Sequence, residues 1–153
     1  MSASGVLLEC DGVTLRWGAC LSELELVGSP KSYPRGTKKE LVWYDRRVFN
    51  RLLVNVSAVL HPKEPLRTLR LAPRTSYEVL AAHLEIYFSA RPAPSRGDPY
   101  DPDWPPQLRW HGTEFTVVLS VEDRFGGYCV VHVEQESRAK STPNTSLERT
   151  RER

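Results

Sequence analysis

Between Leu52 and Leu60 the chain sets Leu52, Val54, Val56, Ala58 and Leu60 on one side and Asn55 and Ser57 on the other. Alternation with this much β-branched content predicts a half-buried central strand, which needs hydrogen-bonding neighbours and a layer over its apolar face. Leu66-Arg67-Thr68-Leu69-Arg70-Leu71 is a shorter alternating segment suited to pair with it. Leu41-Val42-Trp43-Tyr44 has strand composition, and Leu21 to Val27 alternates Leu24 and Leu26 with Glu23 and Glu25, which predicts a further strand of the same meander. Residues 28–40 hold turn formers and charges and read as a surface loop.

Two hairpins bracket these strands. In the first, Asp11-Gly12 suits a two-residue type I′ turn, which pairs Cys10 with Val13, Leu8 with Leu15 and Val6 with Trp17. In the second, Phe115, Val117, Leu119 and Val121 alternate into a turn containing Gly126-Gly127, and Cys129, Val131 and Val133 alternate on the way back. One helix is predicted, from about Ser76 to Ala90. Thr75 and Glu78 form a capping box, Tyr77, Leu80, Ala81, Leu84 and Phe88 recur at spacings of three and four, and Pro92 ends it. Pro92, Pro94, Pro99, Pro102, Pro105 and Pro106 exclude a continuing helix or ladder over 92–106. Strands, one helix and a closing hairpin predict an α+β domain over residues 1–136: a mainly antiparallel curved sheet of about seven to nine strands packed on a single helix. Residues 137–153 are polar, hold one Leu147, and read as a disordered basic tail.

The 153 residues, 40% hydrophobic and 26% charged, suit one globular domain. No apolar run reaches the roughly 18 residues that span a bilayer, and Met1-Ser2-Ala3-Ser4-Gly5 lacks a basic start and apolar core, so the expected compartment is the cytoplasm. Cys10, Cys20 and Cys129 are odd in number with no Cys-x-x-Cys spacing, which fits reduced structural thiols beside strands. The net charge of +2 conceals an uneven distribution. Residues 31–74 carry eleven Lys or Arg against three acids, residues 75–136 four Arg against ten acids, and residues 137–153 add a net +3. The two opposed halves are expected to pair with each other.

No nucleotide cofactor is expected, because Gly126-Gly127 is a lone pair without phosphate-loop spacing; no metal is expected, because His61, His83, His111 and His132 are scattered. Asp45 with Glu114 or Glu122 could form an acid and base pair only if the fold brings them together. Three surfaces compete as the functional site. The first is the stretch from Gly97 to Pro106, where Asp98, Tyr100, Asp101, Asp103 and Trp104 stand among four of the prolines that stiffen the backbone. Aromatic anchors and carboxylates on a backbone with little entropy to lose suit recognition of a protein with a basic cleft. The opposite reading has Tyr100 and Trp104 folding back onto the core. The second is a pocket near Tyr128, His132 and Glu134 for a small ligand or substrate; a solvated strand face is its plain counterpart. The third is Arg46, Arg47 and Arg51 with Trp43 and Tyr44, a composition that binds phosphates and stacks bases, although a nearly neutral body disfavours nucleic acid and a charged strand edge explains the same residues.

The order from the helix onward, with Trp110-His111-Gly112, the strand Phe115 to Val121, Asp123, Gly126-Gly127-Tyr128 and a Val-rich closing strand, resembles small uncharacterised bacterial proteins of the toxin-immunity type. That resemblance implies a non-enzymatic, cytoplasmic immunity protein that neutralises a cognate toxin through a protein interface. It carries over no catalytic residue and no cofactor. The insert at 92–106 departs from the pattern.

Overall fold

A computed structural model of the chain describes residues 4–94, 105–122 and 128–136. Ten strands and two short helices follow in the order β1 (Gly5–Leu8), β2 (Val13–Arg16), α1 (Leu21–Leu24), β3 (Lys31–Arg35), β4 (Lys38–Val48), β5 (Leu52–Leu60), β6 (Thr68–Pro73), α2 (Tyr77–Phe88), β7 (Ala93–Pro94), β8 (Leu108–His111), β9 (Phe115–Val121) and β10 (Cys129–Gln135). β1 and β2 form a separate hairpin; the others form one open sheet of eight strands ordered β3-β4-β5-β6-β10-β9-β8-β7, every adjacent pair antiparallel. The α+β class with a largely antiparallel sheet is therefore present.

β5 lies inside that sheet, between β4 and β6, as its alternation requires. Register carries the alternation across the sheet. Trp43, Val56, Leu71, Val131, Leu119 and Leu108 stand opposite one another on six successive strands, and the first five are wholly buried. One residue along, Lys31, Val42, Ser57, Arg70, His132, Val118, Arg109 and Ala93 make a second row on the other face. The first row is covered by the β1–β2 hairpin and α1, through Val6, Leu8, Leu15, Leu21 and Leu24, and by α2, through Leu80 and Leu84. Trp43 donates its Nε1–H to the Val27 carbonyl at 2.7 Å, so its one polar atom is satisfied inside the core. Around α2, Phe88 packs against Phe49, Trp110 and Phe115.

Several local expectations are corrected. The first hairpin pairs Leu8 with Val13 and Val6 with Leu15, two residues away from the register of an Asp-Gly turn, so the loop is Glu9-Cys10-Asp11-Gly12 and Cys10 is exposed. A slip of two keeps the apolar face intact, and tertiary contacts then select it. Glu9 N–H donates to the Arg47 carbonyl at 2.9 Å, and Asp11 lies 3.2 Å from Arg46 Nε. The expected strand at Leu21–Val27 is a single helical turn: Leu21 and Leu24, three apart, point into the core while Leu26 is 88% exposed. The expected loop at 28–40 contains β3 and the start of β4, with β3 fully exposed at the edge and carrying Lys31, Pro34 and Arg35, residues that discourage further pairing. α2 is capped by Ser76, whose Oγ accepts the Val79 N–H, rather than by Thr75, and it ends at Ser89 in the left-handed conformation. Ala93 and Pro94 do join a ladder, as a two-residue edge against β8. The tail expected at 137–153 lies outside the described residues.

Two irregularities shape the β4–β5 hairpin. Tyr44 and Asp45 together oppose Asn55, a bulge in which the Asp45 N–H donates to Asn55 Oδ1 at 2.9 Å. The extra residue turns Arg46 to the covered side, where its guanidinium meets the Gly28 carbonyl at 2.6 Å and faces Asp11. The turn itself, Phe49-Asn50-Arg51, is left-handed at three consecutive residues, with φ of 49°, 62° and 67°. Each such residue costs about 1–3 kcal/mol and persists only where its surroundings over-determine it. Here the Glu9 carboxylate accepts the N–H groups of Asn50 (3.2 Å) and Arg51 (2.6 Å), Arg47 donates to the Arg51 carbonyl (2.8 Å), and His83 Nε2 bonds the Phe49 carbonyl (2.6 Å). A carbonyl only accepts, so His83 carries a proton on Nε2. Glu9→Ala is expected to lower unfolding free energy by about 2 kcal/mol, the scale of charge-assisted hydrogen bonds. Adding Arg51→Gly, which accepts positive φ without strain, recovers part of that loss. Urea titration of the three proteins checks both, and an unchanged midpoint for Glu9→Ala would show that the turn holds itself.

Candidate functional site

The outer face of the sheet, bearing the row from Lys31 to Arg109, gathers most of the chemistry-bearing side chains. Toward the β3 edge, register places Tyr33 opposite Glu40 and Arg35 opposite Lys38 on this face, with Val42 and Tyr44 farther along β4. The Tyr33 and Tyr44 hydroxyls lie 2.9 Å apart, Lys31 Nζ sits 5.7 Å from the Tyr44 ring centre, and Arg35 bonds Glu40 at 2.6 Å. The hydrogen bond with Tyr33, then some desolvation, raises the Tyr44 hydroxyl above its ordinary pKa. Tyr33 and Tyr44 are 37% and 40% exposed, while Val42 between them is 7% exposed.

Across β6, β10, β9 and β8 the same face becomes amphoteric. Arg70 donates to Glu122 Oε2 at 2.7 Å, and His132 Nε2 stands 3.7 Å from Glu122 Oε1, an ion-pair distance when the imidazole is protonated. The Arg70 hydrogen bond is the main reason that the Glu122 carboxyl ionises below its ordinary value. An open groove of about 410 Å³ runs past Gln107, Arg109, Ser120, Glu122, His132 and Glu134. Beside it the buried Thr116 donates its hydroxyl to Glu136 Oε1 at 2.7 Å, and His111 Nδ1 lies 3.3 Å from Thr116 and 3.2 Å from Glu136. Those bonds, first the one from Thr116, hold Glu136 below its ordinary pKa. One imidazole nitrogen faces both partners, so the trio lacks the hydroxyl-to-imidazole-to-carboxylate relay that activates a nucleophile. Among the described residues, no three or more His, Cys, Asp or Glu side chains gather to hold a metal ion.

The residues singled out from sequence fall in different places. Asp98, Tyr100, Asp101, Asp103 and Trp104 lie outside the described residues; the chain on either side is anchored to the fold. Ala93–Pro94 pairs with Leu108–Arg109, Trp110 Nε1 donates to the Ala90 carbonyl at 3.1 Å, and the Tyr77 hydroxyl donates to the Pro106 carbonyl at 2.6 Å. His132 and Glu134 line the 410 Å³ groove, whereas Tyr128, 71% exposed, does not. The stretch 43–51 is not one surface. Trp43 is in the core and Arg46 is spent on Gly28 and Asp11; Arg47 and Arg51 flank an open depression of about 550 Å³ with Glu9, Cys10 and Asn50. Asp45 pairs with Arg74 and Glu122 with Arg70. Cys129 is buried, and burial pushes its thiol up; Cys20 Sγ lies 3.1 Å from Ser22 Oγ. No helix among the described residues is long and apolar enough to cross a membrane.

Within the segment that carries the family resemblance, Trp110 and Gly112 have structural roles. Trp110 is 2% exposed, and a Cβ on Gly112 would stand 2.1 Å from the Phe115 ring. No family model matches the chain, and no curated protein or solved structure does either. Sequence reasoning overlooked Tyr33, which the expected loop concealed; its signal was the exposed aromatic between Lys31 and Arg35.

The Arg70–Glu122 bond sets a pH dependence. Glu122 has a folded pKa below its unfolded one, so the pair stabilises the protein above the unfolded value and the gain is lost as pH falls through the folded value. Both side chains are 45% exposed and screened by water, which limits the gain to less than about 1 kcal/mol. Arg70→Met is expected to cost that amount at neutral pH, to cost nothing once Glu122 is protonated, and to raise the Glu122 pKa in a carboxyl NMR titration.

Proposed function

We propose that the chain is a non-enzymatic protein-binding protein of the bacterial toxin-immunity kind, acting in the cytoplasm, and that it blocks a basic surface of its partner with Asp98, Tyr100, Asp101, Asp103 and Trp104. The observation that supports this reading is the stem of the segment. On one side Ala93 and Pro94 are fixed to the sheet edge, and on the other Pro106 is fixed to α2 through Tyr77. A binding segment whose ends are already fixed, and which itself contains Pro99 and Pro102, loses less freedom when it docks. α2 adds apolar area beside the stem: Val79 is 60% and Ile86 79% exposed, with Glu78 and Glu85 next to them in sequence. An apolar centre with a charged rim is the usual anatomy of such interfaces. The carboxylates give the complex an affinity that falls with salt.

A second reading, binding of a small polar ligand, draws support from the groove at Gln107, Arg109, Ser120, His132 and Glu134, which offers donors and acceptors together.

The first reading is tested by expressing the products of the genes flanking its own, each alone and with this chain. One of them is expected to arrest growth, the wild-type chain to relieve the arrest, and the Asp98→Asn, Asp101→Asn, Asp103→Asn variant to relieve it at least tenfold less well at equal abundance. Absence of any toxic neighbour, or full relief by the triple variant, would sink the reading.

A further inference from the structure

We propose that the outer face of β3 and β4, with Tyr33 and Tyr44 as its platform, binds single-stranded nucleic acid. Four observations meet there. First, among the described residues nothing packs over the face: the β1–β2 hairpin, α1 and α2 all lie on the opposite side, against the row that contains Trp43. Second, two tyrosines stand on it, more than a third exposed, with their hydroxyls bonded to each other over the buried Val42. Bases stack on such rings whatever their sequence. Third, Lys31, Arg35 and Lys38 project from the same face, as the pairings Lys31 with Val42 and Arg35 with Lys38 require. Glu40 is the one carboxylate that register places among them; it bonds Arg35, whose side chain stays 62% exposed, and neither Lys31 nor Lys38 has an anionic partner among the described residues. Fourth, Ser57 and Arg70 extend the polar row inward from Val42; Arg70 bonds Glu122 there, and its side chain stays 45% exposed. These strands belong to the segment 31–74, which carries eleven Lys or Arg against three acids, a net basic stretch in a chain that is close to neutral as a whole.

The occupant is a single strand rather than a duplex because a duplex hides the faces of its bases. Groove readout would instead need a helix or ribbon standing clear of the fold, and β3 is an edge strand of the sheet. The site differs from the basic stretch at 43–51: Trp43 is buried and Arg46 is paired, and Tyr44 is the member of that stretch that faces outward with Tyr33. It also lies at the opposite edge of the sheet from β7 and β8, so it stands or falls separately from the protein-binding segment.

The test is fluorescence anisotropy with labelled oligo(dT) and oligo(U) of about 12 nucleotides, against a duplex of equal length, a heparin fragment and polyglutamate, at about 50 and about 200 mM salt. Expected is micromolar binding of the single strands, at least tenfold tighter than the duplex. Tyr33→Ala with Tyr44→Ala should weaken it tenfold or more; Tyr33→Phe with Tyr44→Phe, which keeps the rings, should leave it within about twofold, and this pair decides the matter if the alanine variant does not fold. Lys31→Glu with Lys38→Glu should weaken binding and flatten the slope of log affinity against log salt by about 1.4, two phosphate contacts at about 0.7 each. The inference is overturned if no oligonucleotide binds, if heparin or polyglutamate competes as well as the single strand while removal of the rings changes nothing, or if only Arg47 and Arg51 substitutions matter.

Discussion

The register of the large sheet is the constraint on which everything else rests. Once Val56 stands opposite Trp43 on one side and Leu71 on the other, the faces of the side chains from β4 to β8 follow, apart from the shift that the β4 bulge introduces. A slip by one residue in β6 or β10 would bring Arg70 or His132 into the core and expose leucine and valine. Each of the five wholly buried side chains in the row contributes about 1.5–3 kcal/mol of transfer free energy, so the alternative is excluded by a wide margin. The polar outer face is the second consequence of the same pairing. Its lysines, tyrosines and histidines are aligned because their neighbours are buried.

What that register does not fix is settled by a few polar contacts at the margin. The left-handed turn Phe49-Asn50-Arg51 buries the Phe49 ring against Tyr87 and Phe88, at the cost of three unfavourable backbone conformations. Glu9 offsets that cost from the β1–β2 loop, 41 and 42 residues earlier in sequence, and the hairpin that carries it pairs two residues away from the register its Asp-Gly dipeptide prefers. The bulge at Tyr44–Asp45 acts in the same way: one added residue sends Arg46 inward to Gly28 and Asp11 and leaves Tyr44 facing out.

These contacts explain which parts of the fold were legible in the sequence. β5, β6, β9, β10 and α2 were, because alternation or helical spacing over five or more residues reports burial directly. α1 was not: Leu24 and Leu26 alternate with glutamates, yet the side chains that enter the core are Leu21 and Leu24, and a seven-residue pattern fits both periods. β3 was hidden by Pro34 and its charges, which are signs of a loop and equally of an edge strand. For the sites, spacing revealed only which residues are near in sequence. It grouped Trp43 with Arg46 and Arg47, whereas the strand period pairs Trp43 with Leu41 in the core and turns Tyr44 toward Tyr33. His132 and Glu134 were legible as neighbours because they share one strand face; Arg109 and Gln107, which complete their groove, come from another strand.

The charge asymmetry of the chain becomes a feature of the sheet. Residues 31–74 supply β3, β4, β5 and β6, and residues 75–136 supply β10, β9, β8 and β7, so the basic and acidic halves of the sequence are the two halves of the strand order. They meet at β6 and β10, where Arg70 bonds Glu122; among the described residues this is the ion pair that joins them. Side-by-side strands bring together only the charges at their boundary, and Asp98, Asp101, Asp103 and Asp123 of the acidic half lie outside the described residues. With strands about 4.8 Å apart, the β3 and β8 edges are separated by six spacings, about 29 Å along the sheet. That is several times the roughly 8 Å over which salt screens a charge at physiological ionic strength. The cations Lys31, Arg35 and Lys38 at the β3 end are thus separated from the β8 end by several screening lengths.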